Sequence, residues 1–168
     1  MAVNNIIKRI QNIMRQDAGI NGDAQRIEQM TWMFFLKVYD TQEETWEYKD
    51  ENYKSIIPED LRWRKWAVDE KDGEALTGEA LLSFVNEKLF PTLKNLPIDA
   101  NTPRAKSIVL ETFADLNQYM KNGTLLRQVV NIVNEIEFDD ADDRHTFGDI
   151  YEGILKDLQS AGNAGEFY

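Results

Sequence analysis

The chain has 168 residues, of which 42% are hydrophobic and 11% aromatic, so it is long and apolar enough to fold as one domain with a buried core. Its 30 Asp and Glu residues outnumber its 19 Lys and Arg residues, and the net charge of -11 disfavours unaided binding to nucleic acid or to an anionic membrane. The absence of cysteine and the single histidine exclude disulfides, thiolate catalysis, cysteine-ligated zinc and histidine-rich metal sites.

The N-terminal residues mix cations with Asn and Gln, which is not the pattern of a signal peptide. The longest apolar run, residues 30–39, is shorter than the roughly 20 residues that a membrane span needs. We therefore expect a soluble, cytoplasmic protein, and we expect any DNA contact to depend on a partner.

Two helices are predicted first along the chain. Apolar residues at helical spacing predict the first one, which Gly19 should end: Ile6, Ile7, Ile10, Ile13 and Met14. The second begins near Asp23, and its apolar residues cover nearly its whole circumference, which predicts a position at the centre of the domain. Those residues are Ile27, Met30, Trp32, Phe34, Phe35, Leu36, Val38 and Tyr39. From 40 to 54 the chain is polar and acidic.

A short helical segment is predicted at 59–66, where three cations stand beside two aromatic rings: Arg62, Trp63, Arg64, Lys65 and Trp66. This combination suits phosphate pairing and base stacking. Alternatively, the two tryptophans anchor the segment to the core, because acidic residues flank it on both sides. The sequence leaves both interpretations open.

Three more helices are predicted between 77 and 136. Thr77 can cap the first, which Pro91 should end or bend. Thr102 and Pro103 can start the second, whose apolar face is expected to run to Met120. The pair 122–123, Asn-Gly, separates it from the third, which carries Leu126, Val129, Val130, Val133 and Ile136.

The last predicted helix follows an acidic turn at 139–143. That turn fails the calcium-loop pattern, because Arg144 stands where the central glycine is needed. We interpret His145 as a capping or surface residue. Thr146 and Asp149 have the capping-box form, and the helix runs from there to a stop at Gly162. Its apolar positions are Phe147, Ile150, Tyr151, Ile154, Leu155 and Leu158. No stretch alternates like a strand, so the predicted fold class is all-α.

Motifs for chemistry are absent from the sequence. It contains no GxGxxG or GxxxxGK[ST] loop for phosphate, no GxSxG nucleophile turn and no pair of histidines for a metalloprotease helix. We therefore predict that this chain has no catalytic centre and no metal site of its own.

Two stretches resemble the modification (HsdM) subunits of type I restriction-modification systems. The run from Phe34 to Asp40, FFLKVYD, is similar to the family's Leu-x-Phe-Leu-Lys/Arg-x-x-Ser-Asp, with Tyr39 in the serine place. The stretch from Phe147 to Tyr168, with FGDIYE and then AGNAGEFY, looks like the family's link into its catalytic domain. The resemblance implies an irregular multi-helix N-terminal domain over 1–160, with 161–168 as the start of that link.

This resemblance also implies a parent enzyme that methylates adenine N6 in DNA with S-adenosylmethionine. The family's partners would be a specificity subunit, a second modification subunit, a restriction subunit and DNA. The family's Asn/Asp-Pro-Pro-Tyr/Phe and Phe-x-Gly-x-Gly motifs are missing here, so the fragment alone should neither methylate DNA nor bind the cofactor appreciably. Phe167 and Tyr168 are the candidate contributors to the parent's cofactor pocket.

The candidates for DNA-side contacts are five cations: Arg62, Arg64, Lys65, Arg104 and Lys106. The domain's expected role is to position the complex on DNA and to contact partner subunits. The alternative is a helical interaction or scaffold domain unrelated to DNA, which amphipathic helices and an acidic surface would suit equally well.

Overall fold

The computed structural model describes residues 3–68 and 75–136, and these ranges contain helices and connecting segments but no strand. The all-α prediction is confirmed. The helices are α1 (Val3–Arg15), α2 (Gly22–Lys49), a 3-10 turn (Glu59–Leu61), α3 (Trp63–Trp66), α4 (Gly78–Ser83), a π-helical segment (Phe84–Leu89), α5 (Phe90–Lys94), α6 (Arg104–Ala114) and α7 (Gly123–Asn134). None of the described helices is both long and apolar enough to cross a membrane.

Helix α2 lies at the centre of the domain, as its apolar circumference predicts. Trp32, Met33 and Phe34 are consecutive and fully buried, so all sides of the helix are covered here. Aromatic rings tie this centre to other elements: Trp32 meets Phe90 of α5 edge-on at 5.1 Å between ring centroids, and Phe90 meets Phe113 of α6 at 5.3 Å. The core is therefore one continuous cluster that spans α2, α5 and α6.

Two details of α2 differ from the sequence prediction. Ile27, expected on the buried stripe, is 57% exposed. The helix also continues beyond Asp40 to Lys49 through the polar, acidic segment. The extension is possible because polar side chains on this part of α2 find buried partners elsewhere in the chain, which compensates for the loss of water.

Pro91 does not end its helix. It lies in the first turn of α5, where a missing N–H is tolerated, and a π-helical segment of six residues precedes it. Helix α4 starts after Thr77 as predicted, although the Thr77 side chain makes no capping hydrogen bond. The wider turns of the π-helical segment before Pro91 let the chain continue as a helix to Lys94 while Leu89, Phe90 and Leu93 stay buried.

Helix α6 is shorter than predicted, since it ends at Ala114 and not near Met120. After Ala114, side chains of α2 replace the helical hydrogen-bond partners of the main chain. Glu28 accepts from the main-chain N–H of Asn117 at 2.7 Å, and the fully buried Gln29 accepts from that of Tyr119 at 2.8 Å. These bonds satisfy the backbone in a non-helical conformation.

The C-terminal ends of α6 and α7 are each capped by a lysine from another helix. Lys94 donates to the carbonyls of Phe113 and Leu116, both at 2.7 Å. Lys37 of α2 donates to the carbonyls of Val133, Asn134 and Ile136. Such positions favour cations, because the last carbonyls of a helix lack partners and carry the negative end of its dipole.

The start of α7 depends on a close approach between two main chains. Asn122 caps the helix by accepting from the N–H of Leu125 at 3.0 Å. Gly123 packs so tightly on Gly78 that a Cβ at Gly123 would lie 1.9 Å from the Gly78 carbonyl oxygen. Gly78 itself has a φ of +59°, the left-handed region that glycine adopts without strain. The Asn122–Gly123 pair, which was predicted from the sequence to separate two helices, is thus the start of α7.

Candidate functional site

The segment that combines cations and tryptophans is built from the 3-10 turn and α3. Trp63 and Trp66 are buried in the core. Their indole N–H groups are satisfied inside the protein: Trp63 donates to Asn134 Oδ1 at 2.7 Å, and Trp66 donates to the carbonyl of Leu61 at 3.0 Å. The tryptophans therefore follow the anchoring interpretation, since neither ring is free to stack on a base.

Arg62 is 5% exposed and lies among carboxylates of its own chain. Its Nη2 is 3.0 Å from Glu47 Oε1, and its Nη1 is 3.2 Å from Glu59 Oε2. Its Nε is 3.5 Å from Glu43 Oε1 and 3.9 Å from Asp40 Oδ1. Burial alone would lower the pKa of Arg62, but the hydrogen bond to Glu47 and the charge of Glu43 outweigh it and raise that pKa. The guanidinium stays charged and is held by α2.

Arg64 completes what we call the ion-pair cluster: Asp40, Glu43, Glu47, Glu59, Arg62 and Arg64. Its Nε donates to Asp40 Oδ1 at 2.9 Å, and its Nη2 lies 2.9 Å from Glu47 Oε1. The pKa of Glu47 is lowered, chiefly by its hydrogen bond with Arg62 and further by the one with Arg64. Because four carboxylates surround two guanidinium groups, the cluster as a whole is negative and does not attract phosphate.

The ion-pair cluster connects to Lys106 through the half-buried Tyr53. Tyr53 donates its hydroxyl to Glu43 Oε2 at 2.6 Å, and burial together with this carboxylate raises the pKa of Tyr53 above its ordinary value. Lys106 lies over the Tyr53 ring, with Nζ 5.2 Å from the centroid, and donates to the carbonyl of Lys54 at 2.7 Å. Its ammonium therefore fastens the start of α6 to the segment after α2.

Lys65 and Arg104 are the more accessible of the five cations predicted to face DNA. The Lys65 side chain is 53% exposed, with Nζ 3.7 Å from Glu59. The Arg104 side chain is 43% exposed, with Nη2 3.9 Å from Glu111. Exposed pairs at such distances contribute little to stability and exchange easily with other partners. By accessibility, these two cations are suited to contact a phosphate, whereas Arg62 already donates to its own chain.

Arg127 of α7 is a buried charged residue whose structural role the sequence analysis missed. It is 7% exposed and donates to the carbonyls of Trp66, Ala67 and Leu76. Asn134, two turns further, donates to the same Ala67 carbonyl at 2.8 Å. A charged residue directly after Leu126, inside an otherwise apolar repeat, was the available signal. These bonds fix the end of α3 against α7.

Several predicted residues lie outside the described ranges: the acidic turn at 139–143, His145, the helix from Phe147 to Leu158, and the cofactor candidates Phe167 and Tyr168. Within the described ranges, no three His, Asp or Glu side chains are placed to hold a metal ion. Residues 3–68 and 75–136 also contain no glycine-rich loop of the GxGxxG kind.

Comparison with known proteins identifies this arrangement of helices. The sequence model of the HsdM N-terminal domain matches residues 3–133, which is more than half of the chain. The chain belongs to the HsdM N-terminal domain family. The methylase subunit of the type I restriction enzyme EcoEI from Escherichia coli is 57% identical to it over 170 residues, covering 100% of this chain and 34% of that protein.

Solved structures show the same HsdM N-terminal fold. A modification subunit of a putative type I restriction enzyme from Vibrio vulnificus YJ016 superposes with a TM-score of 0.73 at 31% identity, over 94% of this chain and 35% of that one. A protein from a structural study of complex assembly and conformational transition in the type I restriction-modification system has a TM-score of 0.74 at 34% identity, over 99% and 32%. The chain spans about a third of the length of these relatives. The resemblance read from the sequence is confirmed.

Proposed function

We propose that this HsdM N-terminal domain positions a type I restriction-modification complex on DNA and contacts its partner subunits. The observation that carries the proposal is the match over residues 3–133, together with 57% identity to a type I methylase subunit along the full chain. A structural relative comes from a study of complex assembly in such a system, which supports a role in assembly.

The internal bonding supports a positioning role. The ion-pair cluster, the Lys37 cap and the Arg127 contacts connect α2, α3 and α7, so these three helices are fixed relative to one another. A stiff body can transmit an orientation from one subunit contact to another, whereas a domain with mobile helices cannot. With a net charge of -11, it would approach DNA where a basic surface compensates that charge.

For the parent subunit we propose adenine-N6 methylation of DNA with S-adenosylmethionine in the cytoplasm. Its partners would be the specificity subunit, a second modification subunit and the restriction subunit. When bound, the cofactor supplies the methyl group; Phe167 and Tyr168 would line its pocket in the parent protein. Of the cations predicted to face DNA, Lys65 and Arg104 are accessible. Lys106 and Arg64 are partly bound by other groups of the domain. Arg62 is buried among carboxylates of its own chain, and its burial does not support a contact with DNA.

The test compares the parent subunit, co-expressed with its specificity subunit, with a version that lacks residues 1–136. Radiolabelled S-adenosylmethionine measures methyl transfer, and co-purification measures assembly. We expect the truncated subunit to lose DNA affinity and complex formation. The 168-residue chain alone should transfer no methyl group, since it lacks both family motifs for that chemistry.

Two results would contradict the proposal. Methyl transfer by the isolated chain would show that the missing motifs are not needed. Unchanged assembly and DNA affinity after truncation would show that the domain does not position the complex. Association with the specificity subunit without any effect on DNA affinity would favour the alternative, a scaffold domain that does not contribute to DNA binding.

A further inference from the structure

Helix α1 has a solvent-facing side that differs in charge from the rest of the chain. Residues 3–16 contain Lys8, Arg9 and Arg15 but no Asp or Glu. The rest of the chain has 16 Lys and Arg against 30 Asp and Glu. A cationic helix on a strongly acidic chain is a local departure that the overall charge conceals.

The structure turns these cations outward. Ile6, Ile10 and Met14 recur every four residues and are at most 6% exposed, so they define the face packed on the core. On the opposite side, Lys8 and Arg15 are exposed two turns apart. We call the exposed polar residues of this side the α1 face: Lys8, Arg9, Asn12, Arg15 and Gln16.

Within residues 3–68 and 75–136, a carboxylate is paired with only one cation of the α1 face. Asp17, the first acidic residue along the chain, is 3% exposed and accepts from the main-chain N–H groups of Gly19, Lys121 and Asn122. Glu135 of α7 lies 3.2 Å from Arg9 and offsets that one cation. Lys8 and Arg15 are exposed, and Arg15 donates to Asn12 Oδ1 within the same face.

We propose that the α1 face contacts the DNA backbone, an inference that rests on the proposed function. The side chains of this face are Lys, Arg, Asn and Gln, all of which donate hydrogen bonds to phosphate oxygens. The occupant is a nucleic acid, because a cationic helix on an acidic chain complements a polyanion and the proposed function places the domain on DNA. The ion-pair cluster, whose cations are consumed by its own carboxylates, lacks this donor set.

The experiment uses the parent subunit assembled with its specificity subunit and a labelled DNA duplex of arbitrary sequence. Fluorescence anisotropy gives the affinity at several salt concentrations. Each lost phosphate contact reduces the slope of log affinity against log salt by about 0.9, so Lys8→Gln with Arg15→Gln should reduce it by about 1.8. Between about 50 and 200 mM salt, the unmodified complex should then lose about 12-fold more affinity than the variant.

The matched control removes the same charge elsewhere, through Lys49→Gln with Lys88→Gln, both exposed. The inference predicts an unchanged slope for this pair. If the Lys8→Gln, Arg15→Gln variant and the control variant show equal slopes of log affinity against log salt, the inference is wrong. It is also wrong if the α1 variant loses the specificity subunit while its slope with DNA is unchanged, since the α1 face would then be a protein interface. If truncation of residues 1–136 weakens DNA binding but the α1 variant does not, the inference alone fails; if truncation has no effect, the proposed function fails.

Discussion

Replacing Arg62 with alanine tests whether the ion-pair cluster holds the domain together or serves DNA. The substitution leaves Glu43, which is fully buried, without its nearest cation at 3.5 Å. Asp40 and Glu47 keep a partner, because Arg64 contacts both at 2.9 Å. The loss is therefore concentrated on one buried carboxylate and not spread over the cluster.

Breaking a buried ion pair by removing one partner costs about 3–5 kcal/mol, since the remaining charge is uncompensated. Glu43 retains the hydrogen bond from Tyr53 at 2.6 Å, which places the expected cost near the lower end, about 3 kcal/mol. Exposed pairs are worth about 0.2–1 kcal/mol, so Lys65→Ala, which also removes a contact with Glu59, is the matched control.

Urea denaturation followed by far-ultraviolet circular dichroism measures both variants. Adding Glu43→Gln to Arg62→Ala should recover part of the lost stability, because a neutral amide at that buried position needs no counter-charge. A loss below about 1 kcal/mol for Arg62→Ala would refute the buried-pair reasoning. Weakened DNA binding at unchanged stability would instead return Arg62 to the DNA-side residues.

Three further predictions concern other parts of the fold. Gly123→Ala should lower the free energy of unfolding by more than about 2 kcal/mol, because its Cβ would lie 1.9 Å from the Gly78 carbonyl oxygen. Gly22→Ala faces open space and should lower it by only about 1 kcal/mol, for its positive φ. Urea denaturation compares the two variants. Lys37→Met should lower stability by about 1.5–3 kcal/mol through loss of the α7 cap, and a cost below about 0.5 kcal/mol would contradict that role. Acid should also weaken the domain: the folded pKa of Glu47 lies below the ordinary 4.5, so its stabilisation is complete above that value and is lost as pH falls through the folded pKa. Thermal melts between about pH 6 and 3 should show a smaller loss in Glu47→Gln than in the unmodified chain.

The sequence was most informative where apolar residues repeat without interruption. The centre of α2 follows from side-chain periodicity, and α4 begins after Thr77 as predicted although that side chain makes no capping hydrogen bond. The same reasoning placed Ile27 inside, but its side chain is 57% exposed. Periodicity reports which face is apolar; it does not report how far along the helix the covering elements extend.

Polar segments were harder to interpret, because their partners are distant in the chain. Asp40, Glu43 and Glu47 recur at i, i+3 and i+7, which is a helical spacing. In the sequence they belong to a polar, acidic segment, and their partners Arg62 and Arg64 become evident only in the structure. The spacing was a readable signal for the extension of α2. The identity of the opposing cations was not, since it depends on how the chain folds back.

The segment after α6 shows the same limit from the side of the backbone. An apolar pattern reaching Met120 favours a longer helix, and Met120 is indeed buried. The helix stops at Ala114 because Glu28, Gln29 and Lys94 offer its backbone groups other partners. Competition from side chains about 20 to 90 residues away cannot be inferred from local propensity.

Several cations of the chain point into the domain, which changes how the net charge is distributed over its surface. Arg62, Lys37, Lys94 and Arg127 donate to groups inside the domain, so their charge neutralises buried carboxylates or helix ends and contributes little to the outer surface. Asp17, Asp40 and Glu43 are buried as well, so the surface over most of the described helices keeps the acidic balance of the composition. Exclusion of DNA by charge applies to that surface but not to the α1 face, where the cations point outward. A domain with this distribution can accept a phosphate backbone along α1 while the acidic surface over most of the other described helices repels it, and such one-sided attraction would orient the domain on DNA.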